Sequence, residues 1–152
     1  AMFQCIDVER VSIFMAVPSL LQYMLQAPEL ENRDISSVRW IATGDATLPF
    51  SLLKEWEELG VSIHQAYGLT ESCGPGTLLL PGDAETKVGS CGRPQMHTEA
   101  KIVNARGETI PLGSDEPGEL LLAGRHMMKE YWNKPEATAE TLSDCWLYTG
   151  DN

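Results

Sequence analysis

The stretch VSIHQAYGLTES, residues 61–72, decides how this chain is read. Its first eight residues, Val61 to Gly68, are mostly apolar with β-branched positions and stop at a glycine, as expected of a strand covered on both faces. Two upstream runs share that character, VSIFMAV (11–17) and VRWIATG (38–44). Between the runs the apolar period changes from strand to helix. Residues 18–26 open with Pro18, suited to a first helical position, and place Leu20, Leu21, Met24 and Leu25 on one face. A second stripe, Leu48, Leu52, Leu53, Trp56 and Leu59, ends at Gly60. The order β-α-β-α-β predicts an α/β fold with a parallel, helix-flanked sheet over residues 1–84.

Downstream, over residues 85–152, the apolar runs are shorter and richer in turns. TEAKIV (98–103), a hairpin turn at NARGE (104–108), ETIPL (108–112) and GELLLAG (118–124) predict a small antiparallel sheet or barrel. KPEATAETL (134–142), with Pro135 near its start, reads as a short helix, and WLYTGD (146–151) returns as a strand. No internal repeat or long linker separates the halves, which are therefore expected to pack together.

Composition narrows the function classes. The 152 residues carry 11 basic and 22 acidic side chains, a formal charge of -11, which disfavours nonspecific nucleic-acid binding. The longest apolar stretch, VSIFMAVPSLLQYML (11–25), is interrupted by Ser12, Pro18, Ser19 and Gln22, short of the roughly 20 apolar residues of a membrane span. No leader pattern opens the sequence, so a cytoplasmic location is the expectation. Cys5, Cys73, Cys91 and Cys145 lack CxxC spacing and a nearby histidine pair, which argues for free thiols rather than zinc ligands or a disulfide framework.

Ligands of open α/β sheets collect at the carboxyl ends of the strands, which directs attention to two turns. In ATGDATLP (42–49), Gly44 permits tight backbone geometry, and the alternative is an ordinary strand-to-helix turn capped by Thr47. In QAYGLTES (65–72), Tyr67 offers a ring face, Gly68 close backbone approach, Thr70 a hydroxyl and Glu71 oxygens for a hard cation. That set complements a nucleotide phosphate with magnesium, while the alternative is a glycine turn with Tyr67 in the core. At the end of WLYTGD, Asp151 has the chemistry to accept two hydroxyl hydrogens from a ribose diol.

Taken together these stretches resemble the adenylate-forming superfamily of acyl-CoA synthetases, luciferases and peptide-synthetase adenylation domains. Its Tyr-Gly-x-Thr-Glu element is YGLTE (67–71). The Gly-Glu-Leu strand, the Gly-Tyr-x-Asn-x-Pro-Glu-x-Thr segment and the Trp-x-x-Thr-Gly-Asp element follow in order as GELLLAG, KEYWNKPEATAETL (129–142) and WLYTGD, and VGSCGRP (88–94) matches a Gly-x-x-Gly-x-Pro turn. The resemblance covers nearly the whole chain. It implies that Tyr67 stacks on adenine, Thr70 contacts the α-phosphate of ATP, Glu71 ligates Mg2+ and Asp151 holds the ribose hydroxyls. Gly44, Asp45 and Ala46 would line the adenine and acyl side, with Gln65 nearby and Gly68 allowing close backbone approach. Thr70 and Glu71 are the catalytic candidates. The family usually has glycine at the position of Asp45 and at that of Glu130; the second departure is expected to lie outside the pocket.

YGLTES and MMKEYWNKPEATAETL look more like acid-CoA ligases than peptide-synthetase modules. The implied substrates are a carboxylic acid, ATP and CoA, with acyl-AMP, AMP and pyrophosphate formed on the way. The family's Ser/Thr/Gly-rich phosphate loop, and the later domain whose lysine polarises the acid, are not within these 152 residues. The chain is thus expected to be a central fragment of a longer enzyme, inactive alone, with surfaces prone to self-association. The alternative is a non-catalytic nucleotide-binding or interaction module that keeps the fold.

Overall fold

A computed structural model of the chain describes residues 1–46, 48–80, 83, 86–87 and 89–152. Thr47, Val88 and the expected boundary at residues 84 and 85 lie outside the described residues. The chain divides into two compact units, Ala1–Tyr67 with Leu78–Arg93, and Gly68–Thr77 with Pro94–Asn152.

In the first unit, β1 (Ile13–Met15), β2 (Trp40–Thr43) and β3 (Ser62–Leu69, whose last two residues belong to the second unit) run parallel, and Phe14, Ile41 and Ile63 share one register position. Ile41 and Ile63 are fully buried, as a helix-covered sheet face requires. The helices α2 (Pro18–Gln26) and α3 (Phe50–Glu58) supply that cover. α2 begins where predicted: Val17 is extended, as a residue before proline prefers, and Pro18 takes the first turn without losing a needed donor. Leu21 and Met24 point into the core; Leu20 and Leu25 are partly buried against it. α3 buries Leu52, Leu53 and Trp56. The predicted stripe overreached at Leu59, which is 42% exposed because the helix stops at Glu58 and Gly60, at φ +78°, turns the chain away.

A further helix, α1 (Met2–Glu9), which the sequence reading had not anticipated, adds Phe3 and Ile6 to this core. Its eight residues carry little amphipathic signal, so burial against the rest of the unit decides it. The parallel strands extend into a mixed five-stranded sheet, in the order β1-β2-β3-β4-β5, through β4 (Gly74–Leu78) and β5 (Arg93–Pro94). Neither of the last two was anticipated, since GPGTL and RP lack a strand composition.

The second unit holds a separate four-stranded antiparallel sheet in the order β6 (Glu99–Val103), β7 (Glu119–Ala123), β9 (Trp146–Tyr148), β8 (Leu142–Ser143). Leu121, Leu122 and Leu147 are its fully buried centre. Asp144 and Cys145, both with positive φ, make the two-residue hairpin that joins β8 to β9. The short helix α4 (Pro135–Thr141) lies where expected. ETIPL does not form a full strand. It contributes one bridge, Val103 to Thr109, and the Ile110 N–H bond to Ile102; Pro111 then has no N–H to continue the ladder. Among the described residues no helix is long and apolar enough to cross a membrane.

Candidate nucleotide site

The residues predicted for the site fall in both units. Gly44 to Ala46, Gln65 and Tyr67 belong to the first, and Gly68, Thr70, Glu71 and Asp151 to the second.

In the first unit, Thr43 at the carboxyl end of β2 pairs with Gln65 of β3, so Gln65 stands beside the Gly44 turn as expected. A Cβ on Gly44 would come 3.1 Å from the Ala66 carbonyl, tight enough to favour glycine. Asp45 is exposed with φ +66°, which explains the family's glycine there: aspartate is among the few other residues that accept a left-handed backbone. The backbone path is therefore kept although the residue differs. Thr43 Oγ1, absent from the sequence reading, is fully buried and finds no hydrogen-bond partner among the described residues.

The second stretch begins as strand, as the apolar run to Gly68 predicts. β3 continues to Leu69, so Tyr67 and Gly68 are strand residues, and the chain turns only at Thr70–Ser72 in a single 3-10 turn. The strand persists because Gly68 has no Cβ: one built there would lie 2.5 Å from the Gly74 carbonyl oxygen. The chain itself thus makes a close approach at Gly68. Ser72 closes this turn. Its buried Oγ accepts the Leu69 N–H at 3.0 Å and lies 2.6 Å from the Gly74 oxygen and 2.8 Å from the Leu69 oxygen. Cys73, at φ +52°, completes the reversal.

Thr70 is exposed and Glu71 half-buried on this turn. The Met128 N–H donates to the Glu71 carbonyl at 2.8 Å, and the Tyr131 hydroxyl donates to Glu71 Oε1 at 2.6 Å. The bond to the Glu71 carboxylate, aided by burial, pushes the Tyr131 phenol above its ordinary value, against an opposing hydrogen bond with Thr141. Tyr131 and Met128, on either side of the exposed Glu130, thus both contact Glu71. Asp151 is also better anchored than a residue next to the terminus would suggest. Its carbonyl accepts the Leu120 N–H at 2.9 Å, the Gly150 N–H donates to Glu119, and Thr149 donates to the Leu120 carbonyl.

A cleft of about 860 Å3 opens in the second unit beside the same turn, walled by Cys73–Pro75, Gln95–Glu99 and Gly124–His126. None of the residues assigned to the nucleotide lines it. Among the described residues no three His, Cys, Asp or Glu gather to bind a metal unaided. A lone half-buried carboxylate such as Glu71 still fits magnesium, which keeps several waters and needs only one or two carboxylates beside substrate phosphates.

Against known families, residues 1–132 match the AMP-binding enzyme family. The chain belongs to that family. Curated relatives of this AMP-binding chain include a long-chain-fatty-acid–CoA ligase, FadD13, of Mycobacterium tuberculosis, 41% identical over 94% of the chain and 28% of its own length. An indoleacetate–CoA ligase of Aromatoleum aromaticum is 38% identical over 99% of the chain and 29% of its own length. The chain thus spans less than a third of the curated relatives it matches. Among solved structures, the N-terminal domain of FACL13 from Mycobacterium tuberculosis superposes with a TM-score of 0.88 at 39% identity, over 98% of this chain and 37% of that one. O-succinylbenzoate coenzyme A synthetase of Bacillus subtilis, solved with AMP, gives 0.87 at 33% identity over 99% and 31%. The predicted α/β class, with its separate antiparallel sheet, and the family resemblance both hold.

Proposed function

We propose that this chain is part of an AMP-forming acid-CoA ligase. A substrate carboxylate attacks the α-phosphate of ATP to give acyl-AMP and pyrophosphate, and the CoA thiol then displaces AMP. The observation that carries this reading is the identity of 41% and 38% with relatives named as acid-CoA ligases, whose acids differ while their AMP-binding segment is shared. Residues 1–84 carry the nucleotide-site turns and residues 85–152 end at the ribose-binding Asp151. Tyr67 stacks on adenine, Thr70 contacts the α-phosphate, and Gly44, Asp45, Ala46 and Gln65 border the adenine and acyl side beside Gly68. Glu71 is the residue that would hold Mg2+, which when bound neutralises phosphate charge. The chain's own contribution is positioning and charge stabilisation at phosphorus, with no side-chain nucleophile. The enzyme works in the cytoplasm.

Tyr67→Ala is expected to weaken AMP binding by about 1–2 kcal/mol, the scale of an aromatic contact. Calorimetric titration measures it; a loss of thermal stability with AMP affinity unchanged would return Tyr67 to the core.

The isolated chain is expected to bind AMP weakly, to gain little from the two further phosphates of ATP, and to show no acid-dependent exchange of pyrophosphate into ATP. The phosphate loop with its lysine is not among its residues, so the leaving group lacks a cradle. Exchange assays with fatty and aryl acids test this, and robust exchange by the chain alone overturns it. The reading frame on either side of the coding segment tests the ligase assignment itself: start and stop codons enclosing these residues favour a nucleotide-binding module.

A further inference from the structure

Two residues sixty positions apart meet at the acidic end of the Thr70–Ser72 turn: the Tyr131 hydroxyl donates to Glu71 Oε1 at 2.6 Å. The same segment grips the backbone of Glu71, because the Met128 N–H bonds its carbonyl at 2.8 Å. Glu71 is thus held at both main chain and side chain by residues 128–131. Tyr131 is itself fixed. Its N–H donates to Thr138 Oγ1 at 3.0 Å, that hydroxyl donates to the Lys134 carbonyl at 2.8 Å, and the Lys134 N–H returns to the Tyr131 carbonyl at 3.1 Å. Tyr131 is half-buried, whereas its neighbours Glu130 and Trp132 are exposed. The phenol therefore stands on a braced turn at the entry to α4 and offers a donor to the carboxylate. A lone carboxylate on a one-turn helix has several rotamers open to it, and a donor on one oxygen selects among them.

We propose that Tyr131 is a positioning residue for Glu71, holding Oε1 so that Oε2 is the oxygen available to a divalent cation. This rests on the reading of Glu71 as the magnesium-binding residue. Loss of a partner of this kind typically weakens metal binding about 10-fold or more.

Two measurements on this chain test the proposal. Ultraviolet resonance Raman difference spectra, wild type minus Tyr131→Phe, isolate one phenol of the four tyrosines. A strong-donor signature is expected in wild type, and a weaker one in Glu71→Gln, where the ring and a neutral acceptor stay but the charged acceptor goes. A difference spectrum without donor character overturns the contact itself, and Glu71→Gln supplies the same information should Tyr131→Phe fail to fold. The second measurement is Mn2+ binding in the presence of AMP, followed by electron paramagnetic resonance. Tyr131→Phe is expected to weaken it about 10-fold, and Glu71→Gln to weaken it further. Weakening in Glu71→Gln with wild-type affinity in Tyr131→Phe overturns the positioning role and leaves the metal assignment standing. Wild-type affinity in Glu71→Gln, or no Mn2+ binding by the wild type, overturns the metal assignment and the positioning role with it.

Discussion

Glu71→Gln is expected to slow acyl-adenylate formation about 100-fold in the ligase proposed to contain this chain, the loss that follows when a group stabilising charge at a reacting phosphate is neutralised. The substitution is nearly isosteric, and its amide oxygen still accepts the Tyr131 hydroxyl that now lies 2.6 Å from Oε1. The Met128 N–H bond to the backbone carbonyl is untouched. The turn, and with it the melting temperature, should therefore be retained while the charge that a hard cation prefers is lost. Pyrophosphate exchange at limiting and at saturating Mg2+ distinguishes the cases. A defect that persists at saturation, in a variant that melts with the wild type, supports the assignment; wild-type rates under both conditions remove Glu71 from the chemistry.

Gly68→Ala should be the most damaging small substitution in the site. A Cβ there would meet the Gly74 carbonyl oxygen at 2.5 Å, the Pro75 Cα at 3.0 Å and the Gly74 carbonyl carbon at 3.1 Å. All three are backbone atoms, so no rotamer change relieves the clash. The strand must move, and Ser72, whose Oγ lies between Leu69 and Gly74, moves with it. The cost is about 3 kcal/mol, the upper end for overpacking, or roughly a 10 °C fall in melting temperature for a chain of this size. Gly60 provides the comparison. Its φ is +78° but nothing lies within 4 Å of its Cβ position, so Gly60→Ala costs only about 1 kcal/mol through backbone strain. Equal melting temperatures for the two variants would rule out the close approach of Gly74 to Gly68.

The elements that could be read in advance are those whose signal is local. Pro18 at a helix start, the Leu21 and Met24 spacing and the apolar runs at Trp40–Thr43 and Ser62–Leu69 each carry their own period, and the structure places them accordingly. The helix at Met2–Glu9 and the strand at Gly74–Leu78 have no such period and were missed. Among the candidate site residues, Thr70 and Glu71 stand out in the sequence because a motif sets them side by side. Ser72 beside them has no legible role, since a serine after Thr-Glu is ordinary until its hydroxyl is seen buried between Leu69 and Gly74. Asp45 was noted as a departure from glycine, and only φ +66° shows why an aspartate can stand there.

The sequence by itself determined the parallel β-α-β order, the antiparallel second half and the family, because apolar periodicity and the order of short motifs are properties of neighbouring residues. Tertiary structure alone decided that Gly68 is required by the Gly74 carbonyl, that ETIPL stops after a single bridge, and that Tyr131 reaches Glu71 across sixty positions. Those outcomes depend on which segments lie against one another and in what register. A one-residue change of register would turn Gly68 away from Gly74 without altering any local pattern in the chain.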